Sequence, residues 1–213
     1  MSKVIALLKG RVTFLLERIS PHYNTMVTYH KRVDGNVPDQ AIIFIGDSIT
    51  QGLAVAAVTP LAVNYGIGKD TTVGVLERIP KYHSLARAKA IVLAIGVNDL
   101  RQRSDEELLA NFEAIFSRLP SEVPLIVSAI LPVDTRVWPE PDHNERIDQV
   151  NAELKLLCLR YPTSCFVNCS DRLRDAEQNL AANFHIGDGI HLSAAGYTVW
   201  IDALRGGLNL IRE

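Results

Sequence analysis

Ser48, Asp188 and His191, with Gly66 and Asn98, are the residues of this 213-residue chain whose types and settings could carry out a reaction. Ser48 ends the stretch Ala-Ile-Ile-Phe-Ile-Gly-Asp-Ser, where a continuous apolar run stops and a hydroxyl follows. A serine hydroxyl is a poor nucleophile until a histidine takes its proton, and that imidazole needs a carboxylate on its other nitrogen. Asp188 and His191, three residues apart in Asp-Gly-Ile-His, can supply both. Attack on an ester carbonyl would create an oxyanion that needs fixed donors. The backbone amides of Ser48 and Gly66 and the side-chain amide of Asn98 are the candidates. Taken alone, Gly-Asp-Ser could equally be turn chemistry, because all three residues favour turns.

These groups need elements that bring them together. The run 41–45 has no polar alternation, which suits a parallel strand covered on both faces, and ligands gather beyond the carboxyl ends of such strands. Further strands are expected at 61–65, ending in Gly66-Ile-Gly-Lys-Asp-Thr-Thr72, at 89–95, ending in Gly-Val-Asn98-Asp, at 123–130 and at 165–168. Helices separate them. An amphipathic helix opens the chain, with Val4, Leu8, Val12, Leu15 and Ile19 on one face, packed on the domain's own core. Ser20-Pro21 starts a second helix that Gly35 and Pro38 close. Asp70 or Thr71 can cap a helix carrying Val73, Leu76 and Ile79. Ser104-Asp-Glu-Glu107 is a capping box for a helix carrying Leu108, Phe112, Ile115 and Leu119. Ile147, Val150, Leu154 and Leu157 mark another, and Ser193 caps the last, which turns Tyr197, Ile201 and Leu204 toward the core. Alternating strands and helices without repeats or linkers describe one doubly wound α/β domain over residues 1–213, with 1–38 as a helical segment packed on it.

With the order of these blocks established, the chain resembles the SGNH hydrolases of the GDSL esterase/lipase superfamily. Its blocks are Gly46-Asp-Ser-Ile49, Asn64-Tyr-Gly66, Gly96-Val-Asn-Asp99 and Asp188-Gly-Ile-His191. The resemblance implies a three-layer α/β/α sandwich with a five-stranded parallel sheet, flavodoxin-like in order. It also implies Ser48 as nucleophile, His191 as general base, Asp188 as its orienting carboxylate, and Ser48, Gly66 and Asn98 around the oxyanion. The loop 64–72 is additionally similar to that of platelet-activating-factor acetylhydrolase catalytic subunits, except that Lys69 stands where those relatives usually carry Gly. The chain lacks Gly-x-Ser-x-Gly, because Thr50 occupies the last position, which argues against the ordinary α/β-hydrolase elbow.

Composition narrows the alternatives. A net charge of −2 offers no broad basic field for nucleic acid. No apolar run reaches the length of a membrane span, and charges interrupt the first apolar stretch, so a cytoplasmic location without stable membrane insertion is expected. Cys158, Cys165 and Cys169 lack paired zinc spacing and read as buried thiols in a reducing compartment. No metal or cofactor is expected, and the glycine loop lacks both the P-loop and the dinucleotide-binding pattern. Asp47 and Asp99 read as loop-holding groups that bond backbone amides. His22, His30, His83, His143 and His185 read as surface or satisfied histidines. Trp138, in the long loop 132–144, either lines the site or shields it from solvent. The expected activity is hydrolysis of a small-molecule short-chain acyl ester, with acetyl foremost, through an acyl-enzyme. A thioesterase, lysophospholipase or carbohydrate deacetylase would share this core, and a catalytically silent flavodoxin-like binding domain is the alternative of another class.

Overall fold

The computed structural model describes residues 21–138 and 143–211. The helix expected before Ser20 lies outside the described residues. The elements run α1 (Pro21–Asp34), β1 (Ile42–Gly46), α2 (Ser48–Gln51), α3 (Val55–Val58), β2 (Ala62–Gly66), α4 (Thr72–Arg78), β3 (Ala90–Ala94), α5 (Asp105–Arg118), β4 (Leu125–Ser128), α6 (His143–Leu159), β5 (Ser164–Val167), α7 (Ser170–Leu173) and α8 (Ala194–Leu210). All strands are parallel, in the order β2-β1-β3-β4-β5.

The layering follows from that order. The chain leaves β1 toward β2 and then reverses direction through β3, β4 and β5, so right-handed crossovers put α2 and α3 on one face and α4, α5 and α6 on the other. Accordingly α4, α5 and α6 pack side by side, while α8 returns to cover β4, β5 and α3. The result is a three-layer α/β/α sandwich. Apolar β1 is buried along its length, and β3 up to its last residue, because both faces are covered. The two faces of the sheet share one core, which includes Phe44, Ile91, Phe112, Ile147 and Trp200.

Local signals set the helix starts. Thr71 caps α4 through its hydroxyl on the Gly74 amide, the capping box of α5 forms with both reciprocal bonds, and Ser193 caps α8. Each such cap is worth about 1 kcal/mol. β3 and β4 are shorter than their apolar runs suggest, since a ladder extends only as far as its partner. β4 ends at Ser128, opposite Val167 at the end of β5.

One consequence of the order concerns position. The reversal lies between β1 and β3, which makes the carboxyl ends of those two strands the topological switch point, where open α/β sheets bind ligands. Gly46, Gly66 and Ala94 are level there, paired across the three adjacent strands. Ser48 and Asn98 follow directly.

Candidate active site

Asp47 ends β1's turn and caps the short α2, its Oδ1 accepting the Ile49 amide at 2.9 Å. This places Ser48 at the first position of α2. Its Oγ lies 2.8 Å from Nε2 of His191, and Nδ1 of that ring lies 2.6 Å from Oδ2 of Asp188. The other Asp188 oxygen accepts the amides of Ile190 and His191 at 3.1 and 2.9 Å. Burial alone would raise the Asp188 carboxyl, but the His191 ring and these amides outweigh it and hold the group below its ordinary range. The carboxylate is therefore ionised at neutral pH. The side chains of His191 and Asp188 remain 40 % and 41 % exposed, so a substrate can reach the ring.

Hydroxyl, imidazole and carboxylate thus lie in one hydrogen-bonded line at the switch point. A family model described as GDSL-like Lipase/Acylhydrolase matches residues 44–199, most of the chain. The chain belongs to the GDSL-like lipase/acylhydrolase family. It is a hydrolase of ester bonds. The rat platelet-activating factor acetylhydrolase IB subunit alpha1 is 27 % identical over 184 residues, covering 81 % of this chain and 77 % of that protein. A Streptococcus pneumoniae structure, provisionally named a platelet activating factor, superposes with a TM-score of 0.79 at 27 % identity, covering 93 % of this chain and 98 % of that one. An acetyl-xylooligosaccharide esterase from Geobacillus shares the fold, with a TM-score of 0.65, 20 % identity and coverage of 79 % and 94 %.

In this acylhydrolase one expected donor needs correction. The Gly66 amide is not directed at an incoming substrate, because it donates to the Asn64 side-chain oxygen at 2.8 Å. Glycine is required at 66 for a different reason: a Cβ there would lie 2.2 Å from the Gln51 backbone nitrogen of α2. Beyond Gly66, the Ile67 amide donates to Gly46, that of Gly68 to the Gln51 side chain at 2.6 Å, and that of Asp70 to Ile67. The next amide in the loop, Lys69, has no acceptor among the described residues, and neither has Ser48. Lys69 has φ +64, a left-handed conformation that favours glycine. Its departure from the related subunits' Gly therefore falls on the loop's one left-handed residue. Asn98 stands next to it, donating from Nδ2 to the Asp70 carbonyl at 2.9 Å. A primary amide has two N–H groups, so the second is available.

Four further residues hold this loop, among them Asp99, which the sequence marks as a group that bonds backbone amides. Arg78 of α4 is fully buried and donates to Asp70 at 2.8 Å, the Tyr65 carbonyl at 2.7 Å and the Gly46 carbonyl at 3.0 Å. It ties the ends of β1 and β2 to the loop. Burial opposes its charge, but Asp70 outweighs this and keeps the guanidinium protonated. Asn64 donates to the Thr50 and Leu53 carbonyls at 2.7 and 3.1 Å, fixing the end of α2. The Tyr197 hydroxyl donates to the carbonyl of Ile49, next to Ser48, at 2.7 Å. Asp99 is buried and accepts the Thr72 amide and hydroxyl, joining the Asn98 loop to α4.

Trp138 stands at the rim of the site. The Arg101 guanidinium lies 3.7 Å over its ring, and its Cβ flanks Gly189, so it bridges the Asn98 and Asp188 loops. His30 and His143 are buried. The remaining buried histidine, His185, sits behind Asp188. No described helix is long and apolar enough to cross a membrane.

Proposed function

We propose that this acylhydrolase is a serine esterase that cleaves short-chain acyl esters, acetyl foremost, through an acyl-enzyme on Ser48. The observation that carries the reading is the unbroken line from Ser48 Oγ through His191 to Asp188, at 2.8 and 2.6 Å. His191 Nε2 takes the hydroxyl proton as Oγ attacks the carbonyl carbon. Asp188 on the other nitrogen orients the ring and stabilises the imidazolium. The negative charge that develops on the carbonyl oxygen meets the Ser48 and Lys69 amides and the second N–H of Asn98. His191 returns the proton to the departing alcohol, and a water activated by the same ring then releases the acid.

Removing the Asn98 donor should act on the transition state more than on the bound ester. Asn98→Ala is expected to lower kcat by about 100- to 1000-fold, or ~3 kcal/mol, with KM little changed. Steady-state kinetics on p-nitrophenyl acetate check this, and a defect confined to KM would assign Asn98 to substrate binding.

The acyl preference rests on the space beside the nucleophile. Asp47 and Ile49, on either side of Ser48 in the chain, line a small cavity of about 20 Å³ together with Val97, Ile130, Leu131 and Trp200. Its walls are largely apolar and it has no room for a long chain, which supports a small alkyl group. The acetylhydrolase name of the rat relative supports the same choice. Across p-nitrophenyl esters from acetate to palmitate, kcat/KM should peak between acetyl and roughly hexanoyl and then fall by about 1 to 3 kcal/mol per methylene. A maximum at palmitate would overturn the short-chain reading. The buried thiols support a reducing compartment as the setting: burial pushes Cys158 to about 11 and Cys169 to about 12, and all three cysteines are free.

A further inference from the structure

The loop that carries Asp188 and His191 is closed from behind by a second histidine. Residues 185 and 192 form an antiparallel bridge, and the Ile186 amide donates to the His191 carbonyl at 3.0 Å, so Asp188 lies in a tight loop with its ends joined. Gly187 and Gly189, on either side of Asp188, have φ +104 and +78. The loop thus depends on two left-handed residues, which glycine adopts without steric cost but also leaves easily.

His185 is buried, and its side chain turns into this loop. Its Nδ1 lies 3.0 Å from the Gly187 amide nitrogen and 3.2 Å from that of Gly189. A backbone N–H only donates, so Nδ1 must be the bare, accepting nitrogen. In a neutral imidazole the proton then sits on Nε2. That nitrogen lies 3.3 Å from Oδ2 of the buried Asp134. Arg136 keeps Asp134 ionised by donating from Nε and Nη2 to its two oxygens at 2.8 and 3.1 Å, which holds the carboxyl below its ordinary range. The Asp134 amide donates in turn to the Gly189 carbonyl at 2.8 Å. Both glycines beside Asp188 are therefore tied to one Asp134–His185 pair.

We propose that His185 is a positioning residue for the triad: as its Nε2–H tautomer, anchored on Asp134, it holds the Gly187 and Gly189 amides and so fixes Asp188 on His191. This rests on the triad reading of Ser48, His191 and Asp188. Its own chemistry excludes a direct part in the reaction, since Nδ1 faces two amides and Nε2 a carboxylate inside the protein. An orienting carboxylate that drifts by about 1 Å costs on the order of 100-fold in rate.

Two measurements test the proposal. In the ¹⁵N-labelled protein, the His185 ring should show a bare Nδ1 and a protonated Nε2, with N–N coupling through the hydrogen bond from the Gly187 or Gly189 amide. His185→Leu removes the acceptor and should lower kcat by about 100-fold while leaving KM near the wild-type value. His185→Asn places an oxygen close to the position of Nδ1 and should recover most of that loss. A protonated Nδ1, a full-rate Leu variant, a defect confined to KM, or an Asn variant as impaired as Leu would each overturn it. If the Leu variant does not fold, the ring tautomer and the Asn variant still decide. A wild-type protein with no ester turnover would refute the triad reading, and the spectra would still judge the His185 contacts.

Discussion

Ser48→Ala is expected to lose on the order of a million-fold in kcat toward a short acyl ester while its thermal unfolding stays close to that of the wild type. On the proposed mechanism the loss is large because the triad works as a unit: without Oγ, His191 has no proton to remove and no acyl-enzyme forms. The fold is spared because the change deletes one oxygen at the solvent-facing start of α2. Asp47 still caps that turn through the Ile49 amide, and Tyr197 still holds the Ile49 carbonyl. Donors around the oxyanion would leave some rate above that in water. Intact mass gives an independent check. An organophosphonate ester should add once to the wild-type protein and not to the variant. Near-normal turnover, or an adduct that survives the substitution, would remove Ser48 from the mechanism.

His191→Ala should fall to a comparable level, and it should also change the shape of the pH profile. The general base must be neutral, so wild-type kcat/KM is expected to decline on the acid side. Asp188 adds no second step in that range. Burial raises its carboxyl, but the bonds from His191 and from the Ile190 and His191 amides outweigh this, so it stays ionised below the usual carboxylate range. In the variant the residual rate should lose the acid limb. A profile that kept the limb at full rate would require another base. No other described histidine is placed to serve: His185, in the same loop, is turned away from Ser48 onto Asp134 and the two glycine amides.

The candidate site residues were legible in the sequence because their signals are local. Asp188 and His191 lie within one turn, Ser48 and Asn98 each follow an apolar run, and Ser104 and Ser193 carry their capping partners within three residues. A short parallel strand buried on both faces must be mainly apolar, which marks β1, β3 and β4 most clearly; all five strands could be placed, although their ends could not. A strand's last paired residue depends on a neighbour distant in the chain, as Ser128 depends on Val167.

Tertiary structure decided which backbone groups are available. Gly66 and Lys69 lie three residues apart, and nothing in their residue types says that the Gly66 amide is satisfied by Asn64 while that of Lys69 has no acceptor among the described residues. A hydrogen bond to a buried amide is set by which acceptor packs beside it, and that acceptor arrives through strand pairing and loop folding. The same holds for Arg78, which reads in sequence as an ordinary helix cation but is fully buried on carbonyls from two strands. It holds for His185, whose partners come from a loop after β4 and from glycines on both sides of Asp188. The sequence by itself determined the candidate reactive groups and the strands that carry them. Packing determined their orientation, because the donors that orient them come from elements distant in the chain.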